Sequence, residues 1–158
     1  MVCSIDDIDK RVIYHLMKDA RNVSAPTIAD ETDVSDGTIR NRIQRLEDED
    51  IIRGYHAHID YEQIDGMLIC LFVCSASVLE SKTHILRALD VPGVVNVRDL
   101  MPGRENFHVE AVGTNTNELM RIATALSKLG LEIEHGRMIQ QEFFRPYQPF
   151  GPEEEVSP

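Results

Sequence analysis

The chain has no tryptophan, and only three cysteines and four lysines among its 158 residues. Three cysteines are too few for the disulfide framework of a small secreted domain and fit a reducing compartment. No apolar run reaches membrane-spanning length. The first residues, with charges at Asp6, Asp7, Asp9, Lys10 and Arg11, lack the pattern of a signal peptide. A cytoplasmic location is the expectation. No Gly-rich phosphate loop, nucleophile motif or paired-carboxylate signature stands above chance, so the chain does not read as an enzyme and no cofactor is expected. His56 and His58 alternate onto one face of a candidate strand, and Cys70 and Cys74 share a face of another. Neither pair makes a full, tightly spaced ligand set, so no metal is expected and the cysteines read as small buried apolar groups.

What the chain has in excess is acid. Its net charge is -11, and twelve arginines stand beside the four lysines. An acidic, lysine-poor surface is what halophilic cytoplasmic proteins show, because molar salt offsets the self-repulsion. Residues 1–50 hold seven Lys and Arg against twelve Asp and Glu, a balance of -5.

Within that acidic half, Ser35-Asp-Gly-Thr-Ile-Arg-Asn-Arg-Ile-Gln-Arg-Leu46 gathers three arginines on one helical pattern. At 100° per residue Ile39, Ile43 and Leu46 form a narrow apolar stripe. Thr38, Asn41, Gln44 and Arg45 point away from it, with Arg40 and Arg42 on its flanks. Asn, Gln and Arg make bidentate contacts to base edges, and flanking arginines suit phosphates. Two helical patterns precede it. The first carries Ile5, Ile8, Val12, Ile13 and Leu16 and is expected to be capped by Ser4, with Asp6 and Asp7 in its first turn. The second, Ala25–Asp33, is capped by Ser24 and accepts Pro26 in its first turn. Thr32-Asp-Val34 then turns into the arginine helix, with Ser35 or Asp36 as its cap. This is the helix-turn-helix pattern, with Asp33 where many such turns carry Gly. The candidate DNA-binding residues are Ser35, Gly37, Thr38, Arg40, Asn41, Arg42, Gln44 and Arg45.

The second half changes architecture. Met67–Val78 is strand-like, and Lys82–Leu89 is a helix with Ile85, Leu86 and Leu89 facing inward. Val94–Leu100 and Phe107–Gly113 form a hairpin through Pro102-Gly-Arg-Glu105. Asn115 or Thr116 opens a helix bearing Leu119, Ile122, Ala123, Leu126 and Leu129. Gly130 ends it, and Leu131–Phe144 returns as a strand. This β-α-β-β-α-β order is the ferredoxin-like unit, so the fold class is α+β, a helix-turn-helix (winged-helix-like) domain followed by a ferredoxin-like domain. The expected boundaries are 1–52 for the first domain, 53–66 for a connecting strand and linker, 67–144 for the second domain, and 145–158 for a Pro- and acid-rich disordered tail. Met67 to Val73 is apolar on both faces. The sheet face away from the helices must therefore be covered, and a second copy of the same sheet is the simplest cover.

The opening Ile5-Asp-Asp-Ile-Asp-Lys-Arg-Val-Ile13, the stretch Arg40-Asn-Arg-Ile-Gln-Arg-Leu-Glu47 and Ile51-Ile-Arg-Gly-Tyr55 resemble the Lrp/AsnC (feast/famine) family of bacterial and archaeal transcription regulators. The resemblance runs on to about Phe143. It implies a regulator that binds double-stranded promoter DNA, pairs as a homodimer and often stacks into octamers, with an amino-acid-like effector bound near the hairpin after the second strand. It places the effector on Gly103, Arg104, Glu105, Asn106, His135, Gly136 and Met138. Asn106 stands where that family usually has an acid, and the last strand offers His135, Gly136, Arg137 and Met138 in place of hydroxyl residues, so amino-acid sensing is either altered or absent, or retained. Sirohaem decarboxylases share this two-domain plan without using the first domain on DNA, and form the enzymatic alternative. The three arginines of the third helix argue against it.

Overall fold

The computed structural model describes residues 4–77, 81–100 and 103–152. Cys3, the expected strand end at Val78, the hairpin's Pro102 and the last six residues of the tail lie outside the described residues. The chain forms two compact units, residues 1–58 together with 143–158, and residues 59–142.

Three helices make the first unit: α1 (Asp7–Asp19), α2 (Ala25–Thr32) and α3 (Asp36–Asp48). Their stripes meet in a core of Val12, Ile28, Ala29, Ile39 and Leu46, with Ile5, Ile8, Ile13, Leu16 and Ile43 packed around it. The cap of α1 is Asp6 rather than the expected Ser4. Its carboxylate accepts from the Asp9 amide at 2.9 Å, and the Asp9 carboxylate accepts from the Asp6 amide at 3.0 Å. A charged acceptor at the positive end of the helix binds the free amides more strongly than a hydroxyl, and the reciprocal bond satisfies two of them at once. Ser24 caps α2 as expected. The helix ends at Thr32, because Asp33 takes a left-handed conformation (φ 54°, ψ 39°) and turns its amide back onto the Ala29 carbonyl. Ser35 caps α3. Asp50 and Glu105 share the left-handed backbone of Asp33.

Beyond α3, residues 53–60 hold no strand, and a single 3-10 turn covers Tyr61–Gln63. The strand expected within the 53–66 connection is not formed within this chain, where none of the described strands pairs with it. The second unit follows the expected order: β1 (Leu68–Ser75), α4 (Ser81–Leu89), β2 (Val94–Asp99), β3 (Phe107–Gly113), α5 (Thr116–Lys128) and β4 (Glu132–Met138). The sheet runs β2-β3-β1-β4 with every neighbouring pair antiparallel. Cys70, Phe72, Cys74, Phe107, Val109 and Ala111 face the helices and pack on Ala88, Leu119, Ile122 and Leu126. Gly93 is required where it sits: at φ +100°, a Cβ there would lie 2.6 Å from Ile122 Cδ1 and 2.9 Å from the Val112 carbonyl oxygen.

Three expectations shift. β4 stops at Met138 instead of Phe144, because its only ladder is with β1; Met138 already pairs with Cys70, and one more bond, from the Ile139 amide to the Ile69 carbonyl, ends the contact. On α4 the inward face holds His84 and Ala88, while Leu86 and Leu89 are 66% and 45% exposed. Ile85 packs against the core as expected, and His84, not a leucine, shares the inward face with Ala88. The tail is not disordered through residue 152. A 3-10 turn at Gln148–Phe150 packs on α1, within the first unit. The Tyr147 and Phe150 rings meet edge to face at 5.0 Å, which gives this short segment its own apolar contact. Among the described residues, no helix is long and apolar enough to cross a membrane.

Candidate DNA-binding face and hairpin site

On α3 the fold separates the candidate residues into two groups. Arg42 and Arg45 turn towards α1. Arg42 binds both Asp6 (2.7 Å) and Asp9 (2.8 Å), and Arg45 binds Asp9 at 2.5 Å. Asp9 is only 1% exposed. Burial pushes its carboxyl up, but the hydrogen bonds from Arg45 and Arg42 outweigh that and hold it below the ordinary carboxylate value. The Asp6 carboxyl is lowered too, by the Asp9 amide first and by Arg42 second. Arg45, expected to point away from the apolar stripe, and Arg42, expected on its flank, are both engaged by α1. Asp9 was missed. Its signal was present, since position 9 falls on the apolar stripe between Ile5 and Val12, and an acid on such a stripe needs a cation.

The second group faces solvent. Arg40 and Asn41 are exposed, and Gln44 is exposed while donating to Asp48 at 2.9 Å. Thr38 and Ser35 share a hydroxyl contact of 2.9 Å, and the Thr38 amide donates to Ser35 Oγ at 3.2 Å. Gly37 has ordinary helical space around it. A Cβ there would find nothing nearer than Ser35 Oγ at 3.8 Å, so packing within the chain does not require glycine. At the other end of α3, the Tyr55 hydroxyl donates to Glu47 at 2.8 Å. Burial and the bond to Glu47 push its pKa to about 12.

The hairpin site divides in the same way. Asn106, 4% exposed, accepts from the Ala76 amide (2.9 Å) and donates to the Ala76 carbonyl (3.0 Å). Its side chain is used up in clasping the end of β1. Gly136 lies against Phe72, and an added Cβ would sit in ordinary contact with its ring at 3.4 and 3.5 Å, so packing alone does not require glycine there. Met138 is 54% exposed at the end of β4. Gly103 has open space around it. The groups that do converge are Arg104, Glu105 and His135 of the expected set, with Ser75 and Glu134. His135 Nε2 lies 3.2 Å from Glu105, Arg104 lies 3.8 Å from Glu134, and Ser75 Oγ donates to Glu134 at 2.8 Å while accepting from the Glu105 amide at 3.1 Å. Ser75 and Glu134 were not foreseen; a β-bulge between Val73 and Cys74 shifts the β1–β4 register locally and defeats simple alternation there.

Cys70 and Cys74 are buried and free, with their thiols pushed up by burial, Cys74 to about 11. Among the described residues no group of three or more potential ligands gathers that could hold a metal ion.

A capped helix, a left-handed turn and a second capped helix with an exposed polar row define a helix-turn-helix protein, and comparison bears this out. Residues 5–53 match the family described as winged helix-turn-helix DNA-binding. An uncharacterized HTH-type transcriptional regulator of Pyrococcus abyssi is 45% identical over 60 residues, covering 38% of this chain and 40% of that protein. The HTH-type transcriptional regulator LrpA1 of Halobacterium salinarum is 33% identical over 90 residues, covering 55% of this chain and 62% of that protein. The matched stretch thus spans less than two thirds of either relative. In three dimensions E. coli AsnC superposes with a TM-score of 0.66 at 17% identity, covering 93% of this chain and 100% of AsnC. A Neisseria meningitidis transcriptional regulator in complex with L-Met gives a TM-score of 0.67 at 18% identity, covering 90% and 94%. The chain is a homologue of HTH-type transcriptional regulators, and it has the two-domain α+β fold of Lrp/AsnC proteins.

Proposed function

We propose that the protein regulates transcription by binding promoter DNA as a homodimer through α3, under the influence of a small amine- and carboxylate-bearing metabolite. The carrying observation is the exposed row of Arg40, Asn41 and Gln44 on a helix whose other two arginines are engaged by α1. Arg40 and Asn41 are the base or phosphate readers, and the bare first turn at Gly37 lets a phosphate approach the positive end of the helix beside the Ser35 cap. Arg42 and Arg45 set the position of the helix. The dimer reading rests on the sheet face away from the helices, where Ile69, Leu71 and Val73 lie in a row along the central strand β1. Glu105 and Glu134 suit an amine and Arg104 a carboxylate. A bound amino acid in the Neisseria protein keeps that ligand class in view. The homologues' names as transcriptional regulators favour this reading over the decarboxylase one.

Operator titrations test it. Arg40→Ala weakens binding by roughly 1–3 kcal/mol if a base contact is lost. Run between roughly 0.3 M and 2 M potassium chloride, the wild type keeps or gains affinity, because screening removes the repulsion between a -11 subunit and DNA. Wild-type affinity in Arg40→Ala removes α3 from the interface, and a steep loss with salt removes the halophile reading. Leu71→Asp gives a folded monomer by light scattering; an intact dimer would refute the sheet-on-sheet contact.

A further inference from the structure

The C-terminal segment departs from the sequence expectation most sharply, since a Pro- and acid-rich run packs as part of the DNA-binding unit. Tyr14, on α1, is only 2% exposed although its helix is at the surface of a small three-helix unit. Lys18 Nζ stands 5.9 Å from the centre of its ring, and Gly151 closes on the ring's hydroxyl end. A Cβ at Gly151 would stand 2.8 Å from Tyr14 Cε2 and 2.9 Å from Tyr14 Cζ, closer than real side chains come. The segment is held in shape by its own bonds. The Phe150 amide donates to the Tyr147 carbonyl at 3.0 Å and the Gly151 amide to the Gln148 carbonyl at 2.8 Å. Tyr147 and Phe150 pack edge to face, and upstream Phe144 lies beside His58 with ring centroids 6.4 Å apart. Pro146, Pro149 and Pro152 restrict the unfolded chain, which lowers the entropy lost on docking.

We propose that residues 147–151 are a strap that completes the helix-turn-helix unit by docking on the Tyr14 face of α1. The unit is then tied to the sheet domain twice. One tether leaves from α3 through residue 58, and the other arrives from β4 through residue 143. A strand movement at β4, whose His135 belongs to the hairpin cluster, reaches α1 through this second tether, and α1 holds α3 through Asp9. The coupling to DNA rests on the function proposed above; the strap itself does not.

The test is Gly151→Val in the full chain, with hydrogen exchange and operator titration as readouts. Gly151 has φ -81°, which valine adopts freely, so the only new conflict is with the Tyr14 ring and the Gln148 carbonyl. In the wild type, the amides of Phe150 and Gly151 exchange as slowly as those of α1. In Gly151→Val they exchange at the rate of open chain, α1 exchanges faster, and the amides of β1 and β3 are unchanged. A double-mutant cycle guards against general misfolding. In a Tyr14→Ala background the added valine has no ring to meet, and its effect on melting temperature shrinks. Operator affinity of Gly151→Val falls several-fold where the wild type binds. Unprotected amides at residues 150 and 151 in the wild type, or unchanged exchange in Gly151→Val, would overturn the strap. Altered exchange with unchanged operator affinity would overturn the coupling. A wild type that binds no DNA at all would sink the proposed function and leave the exchange result standing.

Discussion

Helix α3 and the β2–β3 hairpin pose the same problem and resolve it in the same way. The first is picked out by its polar residues and the second by the family resemblance, and in each the fold takes some of the candidate residues for itself. On α3 the buried Asp9 engages Arg42 and Arg45, leaving Arg40 and Asn41 outside. At the hairpin the clasp on Ala76 uses Asn106, leaving Arg104, Glu105 and His135 at the rim. The difference lies in what is left. α3 keeps a contiguous exposed row, whereas the hairpin's leftovers pair with one another. A surface that reads a large rigid partner needs outward groups, while a small-molecule site starts from groups that exchange their mutual bonds for bonds to the ligand.

The largest test of this comparison removes the engagement on α3. Asp9→Ala removes the carboxylate that Arg42 and Arg45 share, leaving Arg42 its bond to Asp6, and breaks the reciprocal capping bond to the Asp6 amide. Fully buried pairs lose more, but Arg42 and Arg45 still reach water, so the cost is about 2–3 kcal/mol. Thermal melting of the first unit measures it. Because the Asp9 carboxyl is depressed in the folded state, its contribution is present above the ordinary carboxylate pKa and is lost as pH falls through the lower folded value. The gap in melting temperature between wild type and Asp9→Ala therefore closes in acid, below about pH 4. A gap that stays constant down to pH 2 would mean that Asp9 works by packing alone.

The hairpin counterpart is smaller. Asn106→Asp keeps the acceptor for the Ala76 amide but sets a carboxylate oxygen against the Ala76 carbonyl, costing about 1–3 kcal/mol at neutral pH. Arg104→Ala, at an 89% exposed side chain, changes stability by under about 0.5 kcal/mol. Denaturant melts of the pair sharpen the contrast; equal effects would erase it. The smallest effect has the opposite sign. Gly37→Ala stabilises α3 by about 0.5–1 kcal/mol, since packing gives glycine no task there, while operator affinity drops because the added methyl stands where a phosphate approaches. A stabilised variant with unchanged affinity would leave the glycine without a role at DNA.

Most of this arrangement was legible wherever a local pattern decides it. The caps Ser24, Ser35 and Asn115, the stripes of α3 and α5, the strand Phe107–Gly113 and the turn at Asp33 follow from residue type and period. The α1 cap, Asp6 in place of Ser4, is a local failure; most of the others involve partners distant in sequence. Asp9 meets Arg42 and Arg45 more than thirty positions away. Asn106 meets Ala76 across thirty. β4 ends where its one ladder partner does, and the tail finds α1 at the other end of the chain. Periodicity carries no information on such meetings. A buried polar residue on an apolar stripe, as at Asp9 and His84, was the one sign available.

The three left-handed residues carry a further consequence. Among the described residues, the non-glycine positions in that conformation, which glycine adopts at no steric cost, are Asp33, Asp50 and Glu105, all acids. A left-handed L-residue costs roughly 1–2 kcal/mol in the folded chain, and its bulk reduces the freedom of the unfolded chain, which offsets part of that cost. The acidity of this protein is therefore not confined to positions that tolerate any polar residue. It extends into the turns that fix the direction of the backbone, so neutralising those three sites with glycine would relax the turns, loosen the unfolded ensemble and raise the net charge from -11 to -8, all in one step.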